Sequence, residues 1–103
     1  MENKEFFIKA IDHYEPYSPA KREVLKIMVE DSVDNISSIG GKKIAALTHR
    51  SAAAISSVIV RLQGEGVIKN LENFGTRCKS YKINLSKLEH ITNYYVKNRK
   101  VEK

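Results

Sequence analysis

The chain has 103 residues, a length that supports one hydrophobic core and excludes a multidomain enzyme. Hydrophobic residues make up 42% and charged residues 29%, which excludes a wholly disordered chain. Eighteen Lys and Arg against 12 Asp and Glu give a formal charge of +6, which suits a polyanionic partner without specifying one.

The signs are segregated. Residues 1–36 carry a net −3, residues 37–85 a net +6 and residues 86–103 a net +3. A basic face set against an acidic end argues for an oriented contact with nucleic acid more strongly than the total does. Cys78 is the one cysteine, so an internal disulfide is excluded and a reducing compartment fits. No apolar run approaches the roughly 20 residues that cross a bilayer. The start Met1-Glu2-Asn3-Lys4-Glu5 lacks the basic and apolar opening of a signal peptide. A cytoplasmic protein with no membrane contact is expected.

Helical spacing of Phe6, Phe7, Ala10, Ile11 and Tyr14 predicts an amphipathic helix from Asn3 to Tyr14, broken at Glu15-Pro16-Tyr17. Ser18-Pro19 is a start signal, an N-cap hydroxyl followed by proline at the first helical position, for a helix to about Asp31 that the polar run Glu30 to Asn35 ends. Ile36 to Ile39 can pair as a minor strand, and Gly40-Gly41 allows a turn. A short helix with Ile44, Leu47 and Thr48 on one side follows, interrupted at His49-Arg50. Ser51 caps the next helix, whose core face is Ile55, Val58, Ile59 and Leu62, and Gly66 ends it with a left-handed cap. Strands are expected over 67–72 and 79–85, joined by Asn73-Phe74-Gly75-Thr76. Ser86-Lys87-Leu88-Glu89 reads as a capping box opening a last helix with Leu88, Ile91, Tyr94 and Tyr95.

Three helices followed by a two-stranded hairpin is the order of a winged helix-turn-helix. In residues 44–68, Ile44-Ala45, Ser51, Ile55, Ile59, Leu62 and Gly66-Val67-Ile68 keep one ungapped register. This stretch resembles the winged helix-turn-helix DNA-binding family, as found in bacterial transcriptional regulators and in phage or plasmid replication proteins. The resemblance covers about a quarter of the chain in detail and residues 18–85 in plan. It implies a mainly α fold with a small β-hairpin wing and additional N- and C-terminal helices. It divides the chain into a helical arm (1–17), the DNA-binding domain (18–85), and a C-terminal helix with a basic tail (86–103).

The implied function is non-enzymatic binding of double-stranded DNA, with helix 51–65 in the major groove and the wing, 67–85, on the backbone. Transcriptional regulation is the first expectation. A plasmid or phage replication or partition factor, or a winged-helix protein-interaction module, are the alternatives. DNA-contact candidates are Lys42, Lys43, His49, Arg50, Ser51, Ala52, Ser56, Ser57, Arg61, Lys69, Arg77, Lys79 and Lys82. Three features depart from the family pattern. His49 stands where the turn usually has glycine, so either it takes a positive φ or the turn differs. Arg50 replaces an apolar plug and can point at phosphate. The outward side of the recognition helix (Ala52, Ala53, Ser56, Ser57, Val60, Arg61) offers only Arg61 for bidentate base reading, although alanines can touch thymine methyls. Arg77 and Lys79, near the wing tip, are the strongest individual candidates.

His13, His49, His90 and Cys78 show no metal-ligand spacing, and no catalytic triad or phosphate-binding glycine loop is present, so no metal, cofactor or catalytic residue is expected. Phe6, Phe7, Ile11 and Tyr14, with Leu88, Ile91, Tyr94 and Tyr95, exceed what a minimal winged helix needs. They either complete the monomer core or form a homodimer interface, and the dimer is the favoured expectation. The sequence names neither a DNA site nor a small-molecule effector.

Overall fold

The computed structural model describes residues 4–71 and 80–101, and among these are five helices and a small antiparallel sheet. Helix α1 (Lys4–Asp12) leads into α2 (Pro19–Asp31). Ser18 caps α2 as its sequence implies, its hydroxyl accepting from the Lys21 amide at 3.3 Å. At the other end, the Lys4 ammonium donates to the carbonyls of Glu30 (3.1 Å) and Ser32 (2.6 Å). A cation of α1 thus satisfies acceptors that the helix end leaves open.

Val33 and Ile36 exchange two backbone hydrogen bonds, at 2.9 and 3.0 Å, around Asp34 (φ 52°) and Asn35 (φ 68°). Asp and Asn tolerate the left-handed region, so this polar run is a two-residue hairpin turn rather than only a helix stop. Strand β1 (Ile36–Ser37) follows. Asp31 Oδ2 accepts from Ser37 Oγ and the amides of Ser38 and Ile39, at 3.0–3.1 Å, and pins the link into the next helix.

Helices α3 (Gly41–Thr48) and α4 (Ala52–Gly64) meet at His49-Arg50. Ser51 caps α4 through the Ala54 amide at 3.1 Å. Gly66, at φ 77°, ends it: Val67 N donates to Leu62 O (2.9 Å) and Gly66 N to Gln63 O (3.0 Å), a six-to-one and five-to-two pair. Leu47, which helical spacing sets on the buried side of α3, is instead 56% exposed. Ala45 shares the buried line with Ile44 and, at 100° per residue, that choice turns Leu47 outward.

Strands β2 (Ile68–Leu71) and β3 (Ser80–Ile83) pair antiparallel, and β1 joins the far side of β3, giving the order β1-β3-β2. The register sets Ile68 against Ile83, Lys69 against Lys82, and Ile36 against Lys82. The last helix, α5 (Leu85–Val101), begins before the expected cap at Ser86. Asn84 is the residue that caps it: its carbonyl accepts from Leu88 N (3.2 Å) and its Oδ1 from Ser86 N (3.0 Å). The reason is that Asn84 is already fixed on both sides, its own amide donating to Val67 O (2.9 Å) and its Nδ2 to Gly66 O (3.0 Å).

One core runs through these elements. Leu25 and Met28 of α2, Ile44 of α3, Ile55 and Leu62 of α4, and Ile83 of β3 are fully buried within it. α1 and α5 contribute to the same cluster through Ile11, Leu88 and Ile91, and pack on each other. Edge-to-face rings tie them together, Phe6 of α1 lying 6.0 Å from Tyr95 of α5 and Tyr14, just past α1, 5.0 Å from Tyr94.

Candidate functional site

The side of α4 opposite its core line is built from short side chains. Ile55, Ile59 and Leu62 are buried, and at 100° per residue the stripe farthest from them is Ala53, Ser57 and Val60, flanked by Ser56 and Arg61. All five are exposed, Val60 at 64%. Ser51 and Ala52 are exposed at the amino end, where the Ser51 hydroxyl is committed to its cap.

His49 takes the left-handed conformation (φ 57°, ψ 37°), the first of the two outcomes open for this turn. Its amide and that of Arg50 both donate to Ala45 O, closing α3. The Arg50 guanidinium turns back onto α2, with Nη2 3.3 Å from Glu23 Oε1 and Nε 3.4 Å from Oε2. The position of Arg50 in the turn suits phosphate, but the acid that takes it lies 27 residues earlier, with no local signal for the pairing.

Between residues 37 and 85, Lys42, Lys43, Arg61, Lys69 and Lys82 are exposed and, among the described residues, have no ion pair or side-chain hydrogen bond. Glu65, the acid of this stretch within the described residues, is neutralised by Lys21 of α2, whose ammonium also lies 4.1 Å from the centre of the Tyr17 ring. Lys26 pairs with Asp12 at 2.7 Å, holding that carboxyl below its ordinary pKa, and Arg22 donates to the Asp12 carbonyl at 3.0 Å. Of these ion pairs only Lys26–Asp12 lies within the acidic third; Arg50–Glu23 and Lys21–Glu65 link it to the middle of the chain, and the five exposed cations named above stay unpaired among the described residues.

Lys42 and Lys43 occupy the first turn of α3, and the N-cap, Gly40, supplies no side-chain hydrogen bond. Two cations and amides without a side-chain cap at a helix amino end attract anions. Lys69 and Lys82 face each other directly across β2 and β3. Arg77 and Lys79, with Asn73, Thr76 and Cys78, lie outside the described residues.

The residues expected at a dimer interface mostly fill the chain's own core. Ile11, Tyr14, Leu88, Ile91 and Tyr95 are buried, Phe7 and Tyr94 half-buried, and Phe6 is exposed at 38%. A second chain is not needed to explain their apolar character. Among the described residues there is no cluster of three metal-ligating side chains, and no helix is long and apolar enough to cross a membrane.

No protein-family model matches the sequence, and no curated protein matches it.

Proposed function

We propose that this chain is a winged helix-turn-helix protein that binds double-stranded DNA. In this reading α4 enters the major groove, the amino end of α3 rests on phosphate, and the β2–β3 hairpin is the wing. The observation that carries it is the pairing pattern: α4 exposes a side with no role in the core, while five cations on α3, α4, β2 and β3 stay unpaired among the described residues. The order β1-β3-β2 behind three helices supports the fold assignment. Lys42, Lys43, Lys69 and Lys82 supply backbone contacts, which position the protein, and Arg61 with the short α4 side chains touches base edges. Regulation of transcription is the role this binding would serve, with replication or partition of a phage or plasmid served by the same contacts.

Selection of bound duplexes from a random pool tests the reading. An enriched sequence is the expected result, and a palindromic one would add a two-fold assembly. Failure of any duplex to bind at low salt would overturn it. The exposed Leu47, beside Ile27 and His49, favours the protein-interaction module as a second reading. Retention of a protein partner by a Lys69→Ala, Lys82→Ala variant, undiminished by DNA, would select that one.

A further inference from the structure

A groove of about 570 Å³ lies at the base of the β2–β3 hairpin, lined among others by Asn35, Gln63, Lys69, Lys82, Leu85 and Ser86. Lys69 and Lys82 are direct partners in the antiparallel register, so their Cβ atoms are about 5 Å apart and the two ammoniums can converge on one ligand. Like charges set opposite each other destabilise a sheet, and no acid among the described residues relieves them. Asn35 lines the same groove, and its Oδ1 is buried with no hydrogen-bond partner among the described residues. Leu85, 39% exposed, supplies an apolar wall. The amino end of α5 does not account for the charge preference, because Asn84 already caps it.

We propose that this groove binds a small organic phosphate monoester. Two facing ammoniums match a monoester, which carries about −1.5 to −2 at neutral pH, better than a phosphodiester of the DNA backbone with its single charge. The organic body lies against Leu85. Lys69 and Lys82 are also proposed above to contact the DNA backbone, so a monoester and a duplex would compete for them, but monoester binding to the free chain is read without DNA.

Amide NMR spectra of the full chain, titrated with phenyl phosphate, test this. Saturable shifts are expected at Asn35, Lys69, Lys82 and Leu85, with at least about ten-fold weaker binding of diphenyl phosphate, a monoanion, as expected for loss of one unit of ligand charge. A Lys69→Gln, Lys82→Gln variant with an otherwise native spectrum should lose the response, and a Lys42→Gln, Lys43→Gln variant should keep it. Shifts that do not saturate, equal affinity for the diester, or an unchanged response in the Lys69→Gln, Lys82→Gln variant would overturn the proposal.

Discussion

Arg50 grips Glu23 through two nitrogens, Nη2 at 3.3 Å and Nε at 3.4 Å, and so ties the turn between α3 and α4 back to α2. Both side chains are over one third exposed or close to it, at 34% and 39%, which limits their coupling to about 1 kcal/mol or less. A double-mutant cycle with Arg50→Ala and Glu23→Ala, followed by urea denaturation, should return a value in that range. Glu23→Gln should also strengthen duplex binding by a few-fold, because it releases a cation beside α4. A weakened complex would show that Arg50 acts through the turn geometry.

His49 and Gly66 both close helices with positive φ, at 57° and 77°, but one carries a side chain. The left-handed region costs an L-residue roughly 1–2 kcal/mol. His49→Gly should therefore raise stability by up to about 1 kcal/mol, or about 4–8 °C in Tm, despite glycine's low helical preference. Gly66→Ala should lower stability by a similar amount. Its cost is conformational, since an added Cβ meets only Lys87 Cε at 3.8 Å. Thermal denaturation should show shifts of opposite sign.

Burial, with Glu65 and Tyr14 nearby, pushes the Tyr17 hydroxyl up from 10.0 to about 12, and burial also raises Tyr14 and Tyr81. The folded state holds these protons more tightly than the unfolded state. Their contribution to stability is fully present below pH 10 and is lost as pH rises toward about 12. Urea midpoints should fall across that window, and Tyr17→Phe should flatten the fall. Tyrosinate absorbance should show Tyr17 ionising last or together with unfolding.

Local chemistry makes much of this fold readable in sequence. Ser18-Pro19, Ser51 and Gly66 act through neighbours one to five residues away, and each does what its residue type implies. The alternation of Tyr81 and Ile83 with Lys82 likewise sets the sheet face. What the sequence hides depends on pairs distant in the chain. Asn84 displaces Ser86 as the cap because Gly66 and Val67 hold it. Arg50 meets Glu23, and Glu65 meets Lys21, across 27 and 44 residues. For the candidate site, the exposed side of α4 is legible from its core spacing, whereas the distinction between paired and unpaired cations needs tertiary contacts. The Asp34-Asn35 turn lies within a run that reads only as a helix stop, although both residue types favour positive φ and the dipeptide itself carries the signal.

Val60 gives α4 an apolar group at its outermost stripe. Against a selected duplex it should touch a thymine methyl, an interaction worth about 0.8 kcal/mol, or about four-fold in affinity. Replacing thymine by uracil, one position at a time, should locate that methyl. Val60→Ala should remove the difference between the two bases at that position. Equal affinity for every uracil duplex would assign sequence choice to Arg61 or to DNA shape instead.

Duplex affinity measured against salt concentration tests the proposed interface most directly. The wild-type chain should bind with a steep negative slope of log K against log salt, and a Lys42→Ala, Lys43→Ala variant should flatten that slope by about 0.9 for each phosphate that it no longer neutralises. A slope near zero for the wild type, or one unchanged in the variant, would contradict the placement of the amino end of α3 on the DNA backbone.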